Sequence, residues 1–397
     1  MAPFELTDAI GVAADPLQDG PERAALRAMV RRVVADVAPT SRVQALDEAE
    51  TFDDDLYAAL REIGVLAIDA VGGAGDVRDQ VVVIEELAAG PTSMAAFLIL
   101  QFMIIQVLGS HASTDEQRDV LAALIAGETK VSFALSEPDG ATDVVRVMKT
   151  RARRAPSGAW VLSGRKMWTS GATRSDWIVV LAHTGAAPTA SVDSVSMFLV
   201  PTAAKGIVIR EIPTLGLHGF ATCEVGFDDV ELPDAALIGE ESAGLRQAFG
   251  TLNRENLNAA AACNGVTRGA LEFVTGFARE RVVFERPVGA FQTPQHWLVD
   301  GAVRLEAARS LAVRAAEIEV AGGRADLLSI MAKLAASEAA QDLTLHGMQL
   351  MGGLGYSREL PMQRWFRDVR LWSFAPLNNE MIRNRLGERY LGLPRSY

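Results

Sequence analysis

Two short stretches carry hydroxyls and an indole in an arrangement that suits holding a ring. "FALSEPDGATD" (133–143) ends an apolar, period-two run with Ser136, Glu137, Thr142 and Asp143 in a turn, and "GRKMWTSGA" (164–172) sets Trp168 beside Thr169 and Ser170. Short hydroxyls at strand ends with an indole close by suit a flat heteroaromatic ligand, which needs hydrogen bonds at its edge and a stacking wall. Each residue also has an ordinary reading: Ser and Thr form and cap turns, and a lone Trp fills core. A third stretch, "QLMGGLGY" (349–356), has Gly352, Gly353 and Gly355. Such glycines either let a ligand approach the backbone closely or simply end a helix. With no lysine following and no βαβ unit around it, the cluster is neither a P-loop nor a GxGxxG fingerprint.

The elements that must position these residues follow from composition and period. The chain has 397 residues, 49% hydrophobic and 22% charged, enough for two or three folding units around a sizeable core. Its net charge of −12 argues against nucleic acid and against an anionic membrane surface as partners. Cys223 and Cys263 lie far apart and the five histidines, His218 and His346 among them, are scattered without an HxxxH pair. Neither a disulfide framework nor a zinc site is expected, and a reducing cytoplasm is the expected compartment. The first residues, "MAPFELTDAIGVAADPLQDG", lack the basic n-region of a signal peptide. The most apolar run, "MAAFLILQFMIIQVLG" (94–109), is short for a bilayer span and reads as a buried helix.

Residues 1–130 read as an N-terminal helical domain: "ERAALRAMVRRVVADVAP" and "FDDDLYAALREIGVLAI" space apolar residues by three and four, punctuated by Pro39 and "VGGAGD". From 131 to 240 the period becomes two. "WVLSGRKMW", "DWIVVLAHT", "SVSMFLVP", "GIVIREIP" and "CEVGFDDVELP" are short, Val- and Ile-rich and separated by turn residues, as in a compact β domain. From 241 to 397 the helical period returns, with Ala-rich stretches at 255–280, 294–321 and 325–351 that must pack as a bundle. The fold class is therefore α+β, mostly α, with clefts at the domain junctions where ligand sites form. The basic "KTRARRA" (149–155) reads as a solvated strand edge, or as a patch for a 3′-phosphate or an acidic carrier.

In order and spacing these pieces resemble the acyl-CoA dehydrogenase superfamily over nearly the whole chain. "VVVIEELAAG" (81–90) is similar to the family's helix before the middle domain, "FALSEPDGATD" to its ALTEPGAGSD motif, and "GRKMWTSGATRSDWIVV" to GxKMWITNGxxADW. "LGLHGFATCEVGFDDVELPDAALIGEESAGL" resembles the segment leaving the β domain, "ARERVVFERPVGAFQ" the RxxFGxPxxxFQ motif, and "QLMGGLGYSRELPMQRWFRDVR" the pattern QxxGGxGYxxExPxxRxxRD. The resemblance implies an N-terminal helical domain, a middle β-barrel-like domain and a C-terminal four-helix bundle, assembled as a homotetramer or homodimer. It implies FAD, an acyl-CoA or acyl-carrier-protein substrate of fatty acid or secondary metabolism, and an electron acceptor such as an electron-transfer flavoprotein; no nucleic acid and no membrane insertion are expected. Ser136 and Ser170 would bond the flavin ring edge, Trp168 would stack on it and Thr142 would lie near the pyrophosphate. Arg281, Phe284 and Gln292, with Gln349, Gly352 and Gly353, would hold the adenosine and pyrophosphate half from a neighbouring subunit, an arginine fork matching two phosphate oxygens. Glu285 stands where the family has glycine, and Asn378 where it has threonine.

The same resemblance raises the question of the base. Most of the family carries a glutamate after RDxR, in a pattern like YEGTSE. An ungapped match of "RDVRLWSFAPLNNE" (367–380) puts Pro376 there. A second branch carries its glutamate on a bundle helix, and "NRENLNAAAACNG" (253–265) puts Glu255 on that position, with Asn256 in place of the branch's usual arginine. Glu255 is therefore the candidate base, although a glutamate early in a helix also complements the helix dipole for no other reason. Proline also lacks the N–H that the family aims at the thioester carbonyl. Two further readings stay open: a flavin monooxygenase on the same fold, and a catalytically impaired subunit that pairs with an active partner.

Overall fold

The computed structural model describes residues 20–140, 143–185 and 192–396. The first unit is helical: α1 (Pro21–Val37), α2 (Thr40–Glu48), α3 (Asp54–Glu62), α4 (Val77–Ala88), α5 (Thr92–His111) and α6 (Asp115–Ile125). Local chemistry sets their starts. Asp53 accepts the Leu56 N–H at 3.1 Å to cap α3, Asp76 and Asp79 form a capping box on α4, and Thr114 caps α6. Pro39 ends one helix and opens the next. The apolar run extends to a 20-residue helix, α5, long enough by length to cross a membrane, yet 72% of its apolar window is buried inside the protein.

The β unit has eight strands: β1 (Val131–Ala134), β2 (Arg151–Arg154), β3 (Trp160–Ser170), β4 (Trp177–His183), β5 (Val195–Pro201), β6 (Ile207–Ile212), β7 (Thr222–Leu232) and β8 (Leu237–Ile238). They form one sheet in the order β6-β7-β3-β2-β4-β5-β8, with β1 parallel to β4. Trp160, Leu162, Val180, Phe198 and Val225 fill the β unit's own core, while Val179, Leu181, Met197 and Leu199 on the other face join the helical core. Strands β4 and β5 are thus buried on both faces, which is why "WIVVLAH" reads as a continuous apolar run rather than an alternation.

The third unit comprises α7 (Gly244–Phe249), α8 (Leu252–Glu280), the hairpin β9 (Val282–Val283) and β10 (Arg286–Pro287), α9 (Gln292–Val320), α10 (Asp326–Met351), α11 (Gly353–Tyr356), α12 (Met362–Asp368) and α13 (Asn379–Arg389). Three long helices and the short α13 make the bundle, and α8 also packs on α4 and α5 of the first unit. Small residues allow that approach. Ala259–Ala262 are completely buried, and a Cβ on Gly269 would sit 2.5 Å from the Ala89 carbonyl oxygen.

A buried ionic cluster joins the first unit to the bundle. Glu86 of α4 accepts from Arg27 of α1 at 2.6 Å, Arg31 of α1 at 3.2 Å and Arg268 of α8 at 2.9 Å. Its neighbour Glu85 accepts from Arg309 of α9. Burial alone would raise the Glu86 pKa, but Arg268, Arg27 and Arg31 together pull it down to about 2. At a second junction Arg367 pairs with Asp47 at 2.5 Å and the Leu217 N–H donates to Asp368 at 2.7 Å. His218 bonds the Asp47 and Thr214 carbonyls, so it ties the β unit to the first unit beside that junction.

Candidate active site

Ser136, Trp168 and Ser170, the residues that the resemblance assigns to a ring, lie where β1 meets β3. The Met167 N–H donates to the Ser136 carbonyl at 2.9 Å, and the Ser132 hydroxyl to the Ser170 carbonyl at 2.9 Å. A β-bulge between Lys166 and Thr169 inserts one residue against β7. Trp168 falls in that irregularity, adopts φ +63° and is 55% exposed, so its indole is not core. Bulges re-aim side chains beside active sites, and a non-glycine residue held at positive φ marks a constraint imposed from outside itself.

The constraint is an ion pair that the sequence reading missed. The Lys166 ammonium, completely buried, donates to Glu137 at 2.9 Å and to the Leu135 carbonyl at 2.9 Å. Glu137 also accepts the Lys149 N–H at 2.6 Å and the Thr150 N–H at 3.0 Å. Burial pushes Lys166 down to about 8 against the pull of Glu137. Burial pushes Glu137 up, but Lys166 and these partners outweigh it and hold the carboxyl below its ordinary range. The turn carrying Ser136 and the bulge carrying Trp168 are therefore locked together. The signal was available: Lys166 has the inward parity of Trp160 and Leu162, and a lysine on a core face needs a partner. Lys166→Met leaves the Glu137 carboxylate buried and unpaired. We expect a severalfold loss of bound flavin, measured as the ratio of visible to protein absorbance after gel filtration.

The Ser136 and Ser170 hydroxyls make no hydrogen bond among the described residues, and the buried Thr169 hydroxyl has no partner. An exposed indole flanked by such unspent hydroxyls fits a flavin ring. Thr142 lies outside the described residues. Arg281, Phe284 and Gln292 gather around the β9–β10 hairpin, where the Val288 N–H donates to the Arg281 carbonyl at 2.8 Å and Phe284 meets Phe291 edge-on at 6.4 Å. All three are exposed, Phe284 to 89%. Glu285 takes φ +65°, a conformation that a glycine adopts without strain. Gln349, Gly352 and Gly353 end α10, exposed, and a Cβ on either glycine would meet nothing within 4 Å. No hydrogen bond or ring contact among the described residues joins these two groups to Ser136, Trp168 and Ser170.

Glu255 lies in the first turn of α8, partly accessible and without a side-chain partner among the described residues. The cation beside it is committed elsewhere: Arg254 pairs with Asp69 and, at 3.5 Å, with Glu319. With no charge to offset desolvation, the Glu255 pKa is pushed up to about 7. A carboxylate placed only to complement the helix dipole would be stabilised in its charged form; this one is not.

Pro376 follows the 3₁₀ turn Val369–Ser373, in the segment that leads to α13. The N–H groups of Phe374 and Ala375 both donate to the Leu371 carbonyl at 3.0 Å. From the bundle side, the buried Lys333 ammonium donates to the Leu377 carbonyl at 2.7 Å and to Asn379 at 2.9 Å. Asn378 accepts the Met381 N–H at 2.7 Å as the cap of α13. In "KTRARRA", Lys149 pairs with Asp139, Arg153 with Asp229 and Arg154 with Asp234, all on the β unit itself, so the stretch is salt-bridged, but its strand β2 lies between β3 and β4 rather than at the sheet edge expected from sequence.

Three family models match in series: the acyl-CoA dehydrogenase N-terminal domain over residues 20–128, the middle domain over 132–230 and the C-terminal domain over 242–391. The chain belongs to the acyl-CoA dehydrogenase family. It is 30% identical over 385 residues to the acyl-CoA dehydrogenase FadE12 of Mycobacterium tuberculosis, covering 95% of this chain and 97% of the relative. Among solved structures, butyryl-CoA dehydrogenase from Megasphaera elsdenii superposes with a TM-score of 0.88 at 26% identity, over 94% of this chain and 99% of that one. A glutaryl-CoA dehydrogenase from Mycobacterium smegmatis in complex with FADH2 does so with 0.88 at 27%, over 97% and 98%. Like its family, this acyl-CoA dehydrogenase homologue is an FAD-dependent oxidoreductase.

Proposed function

We propose that this chain desaturates an acyl thioester between its α and β carbons, with Glu255 removing the α-proton. Bound FAD supplies the acceptor for the β-hydride, and an electron-transfer flavoprotein or similar acceptor restores it. Ser136 and Ser170 hold the ring edge and Trp168 stacks on the ring. Arg281, Phe284, Gln292, Gln349, Gly352 and Gly353, exposed in the single chain, serve the adenosine half of a flavin bound by a second copy. Acyl-CoA is the substrate class we favour. Lys149, Arg153 and Arg154 of "KTRARRA" each pair with an aspartate of the β unit, which lowers the charge this stretch offers an acidic carrier protein.

Glu255 carries the reading. It is a carboxylate with no side-chain partner among the described residues, partly accessible, in a helical turn whose cation is spent elsewhere, with a pKa pushed up to about 7. A base tuned near the working pH combines a useful ionised fraction with enough basicity to take a proton. The rate of flavin reduction by an acyl thioester should rise with pH through a single deprotonation near 7 and then level, read by stopped-flow absorbance. A rate flat from pH 5.5 to 8.5 would rule out Glu255 as the base.

A further inference from the structure

A hydroxyl can orient a ring only as well as its own backbone is held. We infer that Ser132 of β1, polarised by Ser175, is a positioning residue for Ser170, and through it for the edge of the flavin ring. This rests on the placement of Ser170 at the ring edge in the reading above.

Ser132 is completely buried and Ser175 nearly so. A buried hydroxyl costs free energy unless it is bonded, so two side by side call for an account. Their oxygens lie 2.6 Å apart. Ser132 Oγ is also 2.9 Å from the Ser170 carbonyl oxygen, and Ser175 Oγ 2.9 Å from that of Gly171. Three short contacts share two hydroxyl protons, so only two of them are hydrogen bonds at once. The contact between the hydroxyls takes one proton and leaves the other for one of the carbonyls. Gly171 already accepts the Arg174 N–H at 3.0 Å. The arrangement that serves both carbonyls is therefore Ser175 donating to Ser132, and Ser132 to Ser170. A hydroxyl that accepts one hydrogen bond donates a stronger one, so Ser175 tightens the hold on Ser170. Ser175 is fixed in turn, its carbonyl accepting the Thr202 hydroxyl at 2.8 Å.

The same strand grips β3 a second time. Beyond the end of β1, the Ser136 carbonyl accepts the Met167 N–H at 2.9 Å. Strand β1 and its continuation thus tie β3 on both sides of Trp168, once at Met167 and once at Ser170. The three groups assigned to the ring are set against one another by this double tie. The Lys166–Glu137 pair secures one end, and the two serines secure the other. Past Ser170 the chain turns at Gly171, with φ +74°, where a Cβ would come within 2.9 Å of Phe220.

The test reads the FAD dissociation constant of the full chain and the visible absorption band of the bound flavin. Ser132→Ala should weaken FAD binding about tenfold and shift the band. Ser175→Ala leaves Ser132 free to donate to Ser170, so it should cost only about twofold. The effect must run through Ser170. In a Ser170→Ala background, Ser132→Ala should add almost nothing, whereas a merely structural role would lower affinity by the same factor in both backgrounds. Wild-type affinity and spectrum in Ser132→Ala, equal factors in the two backgrounds, or a loss in Ser175→Ala as large as in Ser132→Ala each overturn the proposal. A Ser170→Ala protein that matches wild type in affinity and spectrum overturns the placement of Ser170 itself. That control touches neither Ser132 nor Ser175, so the two failures are distinguishable.

Discussion

Glu255→Gln should abolish flavin reduction by acyl thioesters, by about a thousandfold or more, while flavin remains bound. Glutamine keeps the shape and fills the same turn of α8, but it cannot take a proton. No carboxylate lies between Arg370 and Glu380, the stretch that contains Pro376. The substitution has a second signature that does not depend on turnover. The Glu255 pKa is raised by burial to about 7 in the folded chain, above the ordinary carboxylate value that the unfolded chain has. The folded form therefore binds the extra proton between those values. The neutral carboxyl is accommodated fully at low pH, and stability is lost as pH rises through about 7. Glutamine removes that loss, so the variant should melt higher than wild type at pH 8 and no higher at pH 5, measured by differential scanning fluorimetry. A variant that is inactive and also less stable at pH 8 would point to a structural role instead.

Glu86→Gln should be the most destabilising single change of a charged residue in the fold, costing about 3–5 kcal/mol. Glu86 meets Arg27 at 2.6 Å, Arg31 at 3.2 Å and Arg268 at 2.9 Å, so an amide would leave buried guanidinium charge facing a neutral group. The loss would fall on the seam between α1, α4 and α8, and urea unfolding should show the first unit separating from the bundle earlier than in wild type. The pH dependence runs opposite to that of Glu255. With the Glu86 pKa depressed to about 2, its contribution is present above the ordinary carboxylate range and is lost as pH falls through about 2. The difference between wild type and variant should therefore shrink steadily below pH 4.

Much of this architecture was legible in the sequence because period and punctuation agree. The stretches 255–280, 294–321 and 325–351 correspond to helices Leu252–Glu280, Gln292–Val320 and Asp326–Met351, and the Val-rich runs to strands with the same cores. Alanine-rich faces and Pro39 are local signals, so they survive in one dimension. The buried ion pairs were not legible. Lys166, Lys333, Glu86 and Arg268 look like surface charges when read singly, and only tertiary packing brings each to its partner. Lys166 alone carried a clue, its parity on β3. Trp168 shows the converse: an indole after an apolar strand reads as core, and a bulge at that point turned it outward. Glu255 could be found only by resemblance, because what distinguishes it from a helix-capping glutamate is desolvation, which no residue pattern records.

The most direct test of the account is an anaerobic titration of the purified, FAD-loaded protein with short, branched and long acyl-CoAs, followed in the visible flavin band. Bleaching by at least one of them, with formation of the α,β-unsaturated thioester, is the predicted result. A fully loaded yellow protein that no acyl-CoA bleaches, and that consumes oxygen once reduced flavin is supplied, would contradict it.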